Sequence, residues 1–153
     1  MILFNNGYLS NWYHSTFTIN GICYDSIEQY MMYQKALTFN DMETAEKILK
    51  TKNFREVKNL GRQVKNYNDT IWNGIRQIVV YEGLLAKFSQ NEDIKNQLLN
   101  TGNEVLVECS ATDKIWAISL TIDNVDSKDI TKWKGQNLLG FSLMKVRDKL
   151  RCS

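Results

Sequence analysis

Residues 16–19 (Thr16, Phe17, Thr18, Ile19) and residues 22–24 (Ile22, Cys23, Tyr24) lie on either side of Asn20 and Gly21. Asn-Gly between alternating segments predicts a β-hairpin, because both turn residues tolerate positive φ. From residue 26 the spacing changes to a helical period. It predicts helices over residues 26 to about 38, 42 to about 50 (capped by Asn40 or Asp41) and roughly 54 to 62. A longer helix opens at Asp69 and runs to about Gln90, with Ile71, Ile75, Ile78, Val79, Leu85 and Phe88 expected to supply much of its buried side. A short helix over residues 93–100 stops at Thr101 and Gly102, where glycine suits a left-handed terminal position. Residues 105–107 and 116–122 look like strands, and a last helix spans about 138–150 with Leu139, Leu143, Val146 and Leu150 on one stripe. The sum is a mainly α (α+β) chain, read as one helical domain over residues 1–153 with an N-terminal hairpin and a few short strands. It lacks the strand–helix alternation of a doubly wound sheet, a Gly-rich dinucleotide fingerprint and a Lys-bearing P-loop.

The helix that begins after Ser26 is chemically unusual. Ser26 with Gln29 fits a capping box, in which hydroxyl and amide satisfy backbone N–H groups. Glu28, Met31, Met32 and Lys35 then share one face, so a carboxylate and an amine bracket two thioethers. Such a mixture fits a pocket wall better than a core face or a solvent face.

Four further places can carry chemistry. Tyr8, Ser10, Asn11, Trp12 and Tyr13 form an aromatic and polar cluster that can stack on a planar base, or serve as a lid over the core. Glu108, Asp113 and Trp116 follow an apolar strand and can wall a cleft, or form a surface loop anchored by the tryptophan. Trp133, Gly135, Gln136 and Asn137 precede the last helix, whose N-terminal N–H groups favour anions, although Asn137 also suits a plain N-cap. Arg62, Lys87 and Arg147 are cations that can hold a phosphate or line a solvated face. The single histidine, His14, is too solitary for a metal site or a catalytic dyad.

Composition adds bounds. The 153 residues suit one domain, and 43% hydrophobic with 24% charged residues is ordinary for a soluble protein. A net charge of +2 gives no strong case for nucleic acid or membrane. Three cysteines without metal-type spacing, no signal-like segment and no long apolar run suggest cytosolic thiols, a cytoplasmic setting and no membrane partner.

Taken in order, these segments resemble the NADAR (YbiA-like) superfamily. The likeness rests on Leu9 to Tyr13, Glu28, Tyr30, Gln34 to Ala36, Leu60 to Arg62, Trp72, Lys87, Phe88, Thr101 and Gly102. It continues through Leu106 to Glu108, Asp113, Trp116, Asn137 to Gly140, Leu143, Val146 and Arg147. One departure is Ala117 and Ser119, where the family carries Trp-Gly-x-Gly. The resemblance implies a mainly α N-glycosidase with no metal or cofactor, cleaving a ribose C1′–N bond. Two implied substrate classes are phosphorylated ribosylaminopyrimidine intermediates of riboflavin biosynthesis and ADP-ribose on guanine in nucleic acid. A non-catalytic ADP-ribose or NAD-binding module is a third reading, which the joint presence of Glu28 and Lys35 argues against.

Cleavage at C1′ needs a carboxylate for developing positive charge or for water, and Glu28 and Asp113 are the candidates, with Glu108 third. Lys35 offers a Schiff-base route if its amine is neutral, which methionine neighbours favour and Glu28 opposes. An ion pair or a phosphate clamp is its other reading. Trp12, Trp116 and Trp133 are expected to stack on the base. Asn11, Tyr13, Arg62, Lys87, Gln136 and Asn137 complete the expected binding set.

Overall fold

The computed structural model describes residues 1–152; Ser153, the last position of the expected domain, lies outside the described residues. The elements are β1 (Ile2–Phe4), β2 (Phe17–Ile19), β3 (Ile22–Tyr24), α1 (Ile27–Thr38), α2 (Met42–Lys50), α3 (Phe54–Arg62), α4 (Asp69–Ser89), α5 (Glu92–Asn100), β4 (Leu106–Glu108) and α6 (Leu138–Arg151). Two short 3₁₀ turns, Val125–Lys128 and Ile130–Lys132, precede α6. The fold is therefore mainly α with short strands. It gathers into two compact units, residues 11–90 and residues 1–10 with those from Asn91 onward.

In the unit of residues 11–90, β2 and β3 pair antiparallel with Phe17 opposite Tyr24 and Ile19 opposite Ile22. Asn20 (φ 51°) and Gly21 (φ 80°) form the two-residue turn, both left-handed as Asn-Gly permits. Helix α1 is central because it is apolar nearly all round: Ile27, Tyr30, Met31, Met32, Tyr33 and Ala36 are buried, and α2, α3 and α4 pack on it. Gly61 brings α3 so close that an added Cβ would strike the Met32 sulfur, and Gly83 gives α4 the same access to Tyr30 and Ile27. Tyr24 meets Tyr30 edge-on with centroids 4.9 Å apart.

The cap of α1 differs from the expected box by one residue. Ser26 Oγ accepts from Gln29 N at 3.1 Å, but Gln29 Oε1 accepts from Asp25 N at 2.7 Å, not from Ser26. The Gln29 amide nitrogen donates to Ile48 O at 3.1 Å, which ties the start of α1 to the end of α2. Asp41 rather than Asn40 caps α2; Asn40 turns left-handed with φ 58°. Bonds from Lys65 N and Thr44 hold the Asp41 carboxyl below its usual range.

Helix α4 is rotated relative to the expected stripe. Trp72, Arg76, Val80, Gly83, Leu84, Lys87 and Phe88 face inward, whereas Ile71 and Ile78 are exposed. Counting isoleucines misplaced the face because the buried side contains an arginine, a glycine and a lysine.

In the other unit, β1 and β4 pair parallel, Ile2 with Leu106 through Phe4 with Glu108, and α6 packs on β4. Val107, Cys109, Ile118 and Leu120 form a core cluster, and Leu139, Leu143, Val146 and Leu150 of α6 are buried as their spacing predicts. Strand β1 escaped the sequence reading because three residues carry too little period. The expected strand over 116–122 is absent. That segment is apolar because it is buried, but it is held by single bonds: Ile118 N to Glu108 O, Lys134 N to Ile118 O and Asn137 N to Ala117 O.

Ser119 sits at φ 59°, a left-handed conformation that breaks any strand and that glycine adopts without steric cost. Ser119→Gly is expected to raise stability by about 0.5–1 kcal/mol, read as a higher urea midpoint at unchanged slope. Loss of the Ser119 Oγ bond to Ala111 O, at 3.2 Å and exposed, subtracts little from that gain. Among the described residues no helix is long and apolar enough to cross a membrane.

Candidate active site

In the unit of residues 11–90 the site grows from the two ends of α1. Glu28 N donates to Asn11 O at 3.0 Å, so the Asn11-Trp12-Tyr13 segment is fastened to the first turn of the helix. The Asn11 side chain is buried and its Oδ1 has no hydrogen-bond partner. Trp12 is half-buried with its ring 5.6 Å from Phe54, and Tyr13 is exposed. Glu28 is half-buried.

Lys35, in the last turn of α1, is also half-buried. Its Nζ donates to Gly61 O at 2.8 Å and lies 4.5 Å from the centroid of the Tyr67 ring. Burial pushes its pKa down, Glu28 and Asp69 push it up, Arg62 adds to the lowering, and the result is a depressed value. Burial thus outweighs the opposing Glu28 charge. Arg62 is exposed at the end of α3.

Lys87 is wholly buried, which excludes a solvated basic face for this residue. Its Nζ lies 5.4 Å from the Tyr13 ring and 5.1 Å from the Phe88 ring, and burial lowers its pKa to about 7. A lysine with a depressed folded pKa loses stability as pH falls from its unfolded value toward its folded one, and no further below that. Unfolding free energy should therefore rise as pH increases from about 7 toward the unfolded value near 10.4. Lys87→Met should flatten this rise, measured by urea unfolding across the same range.

In the other unit, Asn137 is buried at φ 51° and binds β4 with both ends of its amide. Its Oδ1 accepts from Glu108 N and its Nδ2 donates to Leu106 O, each at 3.0 Å. It occupies the N-cap position of α6 but makes no side-chain cap bond. The expected anion site at this helix start is not available, because Leu138 N and Leu139 N already donate to Ile115 O and Trp116 O. Gly135 is required by backbone packing: a Cβ there would strike the Ala117 carbonyl oxygen. Gln136 is exposed.

Asp113 Oδ1 accepts from Ile115 N and Trp116 N, both at 2.9 Å, and so shapes the loop that carries the half-buried Trp116. Glu108 is half-buried at the end of β4. Trp133 donates from Nε1 to Ser127 O at 2.8 Å and packs against the half-buried edge of the core cluster. Arg147 Nε has no hydrogen-bond partner. The residue is buried, and its Nη1 donates to Thr101 Oγ1 at 2.9 Å and Glu104 O at 2.8 Å.

Several residues beside Trp12 and Arg62 escape the sequence reading. Phe54, Arg55, Lys58 and Asn59 line an open groove of about 390 Å³ with Trp12 and Arg62. The spacing of 55, 58, 59 and 62 is a helical face and was readable. Arg76 was hidden by the wrong choice of stripe on α4; it is buried, its Nε has no partner, and its charge reaches Tyr67. No group of three or more His, Cys, Asp or Glu side chains gathers as a metal site among the described residues.

A model of the NADAR domain matches residues 4–151. The chain belongs to the NADAR family. This NADAR chain is 48% identical over 126 residues to an N-glycosidase of Acanthamoeba polyphaga mimivirus, covering 82% of this chain and 74% of that protein. It is 33% identical over 147 residues to a riboflavin biosynthesis protein of Vibrio vulnificus, covering 96% of this chain but only 36% of that protein. The solution structure of the E. coli protein YbiA matches the NADAR chain with a TM-score of 0.81 and 26% identity, covering 99% of this chain and 84% of that one.

Proposed function

We propose that this NADAR protein hydrolyses the ribose C1′–N bond of a phosphorylated ribosylaminopyrimidine, an early riboflavin-biosynthesis intermediate. The activity class, a hydrolase of N-glycosyl bonds, follows the relatives named N-glycosidase. The substrate class draws support from the relative named for riboflavin biosynthesis, in which this chain's counterpart is only a part. The observation that carries the mechanism is Lys35: a half-buried amine with a depressed pKa, held by Gly61 O, on the same helix face as Glu28.

In the ring-opened substrate C1′ is doubly bonded to the base nitrogen. Neutral Lys35 adds its nitrogen to C1′, and two protons pass in turn from that nitrogen to the base nitrogen, one as the adduct forms and one as the C1′–N(base) bond breaks. The base leaves as an amine and C1′ remains as an imine on Lys35. Water then hydrolyses the imine, releasing the sugar phosphate and restoring the amine. Glu28 carries each proton between the two nitrogens. Arg62 and buried Arg76 supply cations for the sugar phosphate, with Asn11 Oδ1 as an acceptor for a sugar hydroxyl or base N–H. Lys87 belongs to this binding set as a support behind Tyr13. For the other unit by itself, Asp113 is a proposed second carboxylate and Glu108, Trp116, Trp133 and Gln136 are proposed substrate-binding residues, whereas the Asn137 amide is taken up by β4. One domain of residues 1–153 and a cytoplasmic setting are part of the same reading.

Glu28→Gln should lower turnover by roughly 10²–10³-fold with little change in KM, the signature of a lost proton transfer. The test is release of free aminopyrimidine and ribose phosphate from the ribosylaminopyrimidine phosphate. Hydrolysis of ADP-ribose from guanine in nucleic acid is the second reading, favoured by the cationic groove along α3. The same assay run on ADP-ribosylated guanine decides between them. Turnover of neither substrate refutes both.

A further inference from the structure

The loop between α3 and α4 carries a tyrosine that is held by its backbone, its hydroxyl and its ring edge. Lys65 N donates to Asp41 Oδ2 at 2.9 Å, and Asn68 Oδ1 accepts from Ile71 N at 3.1 Å. Between these anchors Asn66 turns left-handed with φ 60°, and Tyr67 follows it. The Tyr67 hydroxyl donates to Asp69 Oδ1 at 2.7 Å, and its ring meets Phe39 edge-on with centroids 5.4 Å apart. Tyr67 is nonetheless exposed. An exposed ring removes little apolar surface from water, so core packing alone gives no reason for so many restraints. The face of the ring does meet one reactive group: Lys35 Nζ lies 4.5 Å from its centroid.

A charged lysine amine has three N–H donors, and a neutral one has two and a lone pair. Gly61 O accepts one N–H at 2.8 Å, and the electron-rich face of Tyr67 attracts a second. No carboxylate stands within ion-pair reach of the third among the described residues. The third proton is therefore the one a base removes, and the lone pair it leaves points away from both the carbonyl and the ring. The geometry points to Tyr67 as a positioning residue: with Gly61 O it fixes the rotation of the Lys35 amine and aims its lone pair at the substrate carbon. This deepens the proposed function and rests on it for the attack itself. The role belongs to the ring, and the bond to Asp69 only sets the ring's angle. Fixing an attacking group in advance removes rotational freedom that the reaction would otherwise have to lose at its barrier.

Tyr67→Phe keeps the ring and Tyr67→Leu removes it, so the pair tests this on the full chain. With the ribosylaminopyrimidine phosphate, Tyr67→Leu is expected to lower kcat roughly 10–100-fold at unchanged KM, and Tyr67→Phe to keep most of the wild-type rate. A tyrosine that served only stability would lower the melting temperature and leave kcat alone. A second readout needs no turnover. In NMR spectra of protein carrying isotope-labelled lysine, the Lys35 ε-methylene signal is assigned by its loss in Lys35→Arg. It should lie upfield of the exposed lysines, with its two protons inequivalent because the amine end is immobile. Tyr67→Phe should keep both features and Tyr67→Leu should lose both. If Tyr67→Leu does not fold, the wild-type and Tyr67→Phe spectra and rates decide. An unshifted Lys35 signal in the wild-type protein overturns the positioning. So does wild-type kcat in Tyr67→Leu, or a Tyr67→Phe protein slowed 10-fold or more. A wild-type protein that cleaves no N-riboside refutes the proposed function, and the NMR pattern then decides by itself whether Tyr67 holds the amine.

Discussion

Lys35→Met abolishes release of the base, lowering turnover by roughly 10³-fold or more while the protein stays folded. Methionine has nearly the shape of lysine without the amine, so the packing beside Tyr67 survives. The Gly61 carbonyl loses its donor, at a cost of about 1 kcal/mol because the site is half-open to water. Thermal melting should therefore shift by only a few degrees. Lys35→Arg separates the two roles open to this residue. A guanidinium can clamp a phosphate but forms no imine with C1′. The nucleophile reading requires Lys35→Arg to be as inactive as Lys35→Met. Substantial activity in the arginine variant would instead make Lys35 a clamp.

Asn137→Ala should cost about 3 kcal/mol or more of stability. The change strips a fully buried side chain from two bonds, leaving Glu108 N and Leu106 O without their partner. It also places alanine at φ 51°, where asparagine is better tolerated. Asn137→Gly isolates the first effect, since glycine carries no left-handed penalty. Urea unfolding should rank the proteins wild type, then glycine, then alanine. If both variants lie within 1 kcal/mol of wild type, the amide clamp between β4 and α6 is not what holds this end of the strand.

The helices were legible because their apolar period is a local signal, and cap residues reinforce it at α2, α3 and α4. Asp41, Asn53 and Asn68 each accept from a backbone N–H in the first turn of the helix they precede, and α2 and α3 run over the expected residues. The hairpin followed from Asn20 and Gly21 alone. Less legible were features fixed by distant partners. Strand β1 exists only because β4 lies beside it. The segment after Asp113 reads as a strand by hydropathy, but Ser119 turns left-handed and the carbonyls of residues 114–118 accept from residues 134–139.

The candidate site shows the same division. The shared face of Glu28, Met31, Met32 and Lys35 is a property of the helical period and could be written from the sequence. The acceptor of the Lys35 amine could not, because Gly61 O comes from α3 and depends on the close approach that glycine allows to Met32. Lys87 and Arg147 looked alike as basic residues on helices. Burial separates them: one lies over aromatic rings with a pKa near 7, and the other is committed to Thr101 and Glu104. Asn137 had the spacing of a cap, and only β4 reveals that its amide is used elsewhere.

Imine trapping tests the role of Lys35 most directly. The protein is incubated with the ribosylaminopyrimidine phosphate in the presence of borohydride, digested, and mapped by mass spectrometry. The predicted result is a reduced sugar-phosphate adduct on Lys35, absent from Lys35→Arg, with loss of activity proportional to labelling. An adduct on another lysine, or full turnover by Lys35→Met, would contradict the assignment of C1′ chemistry to this helix.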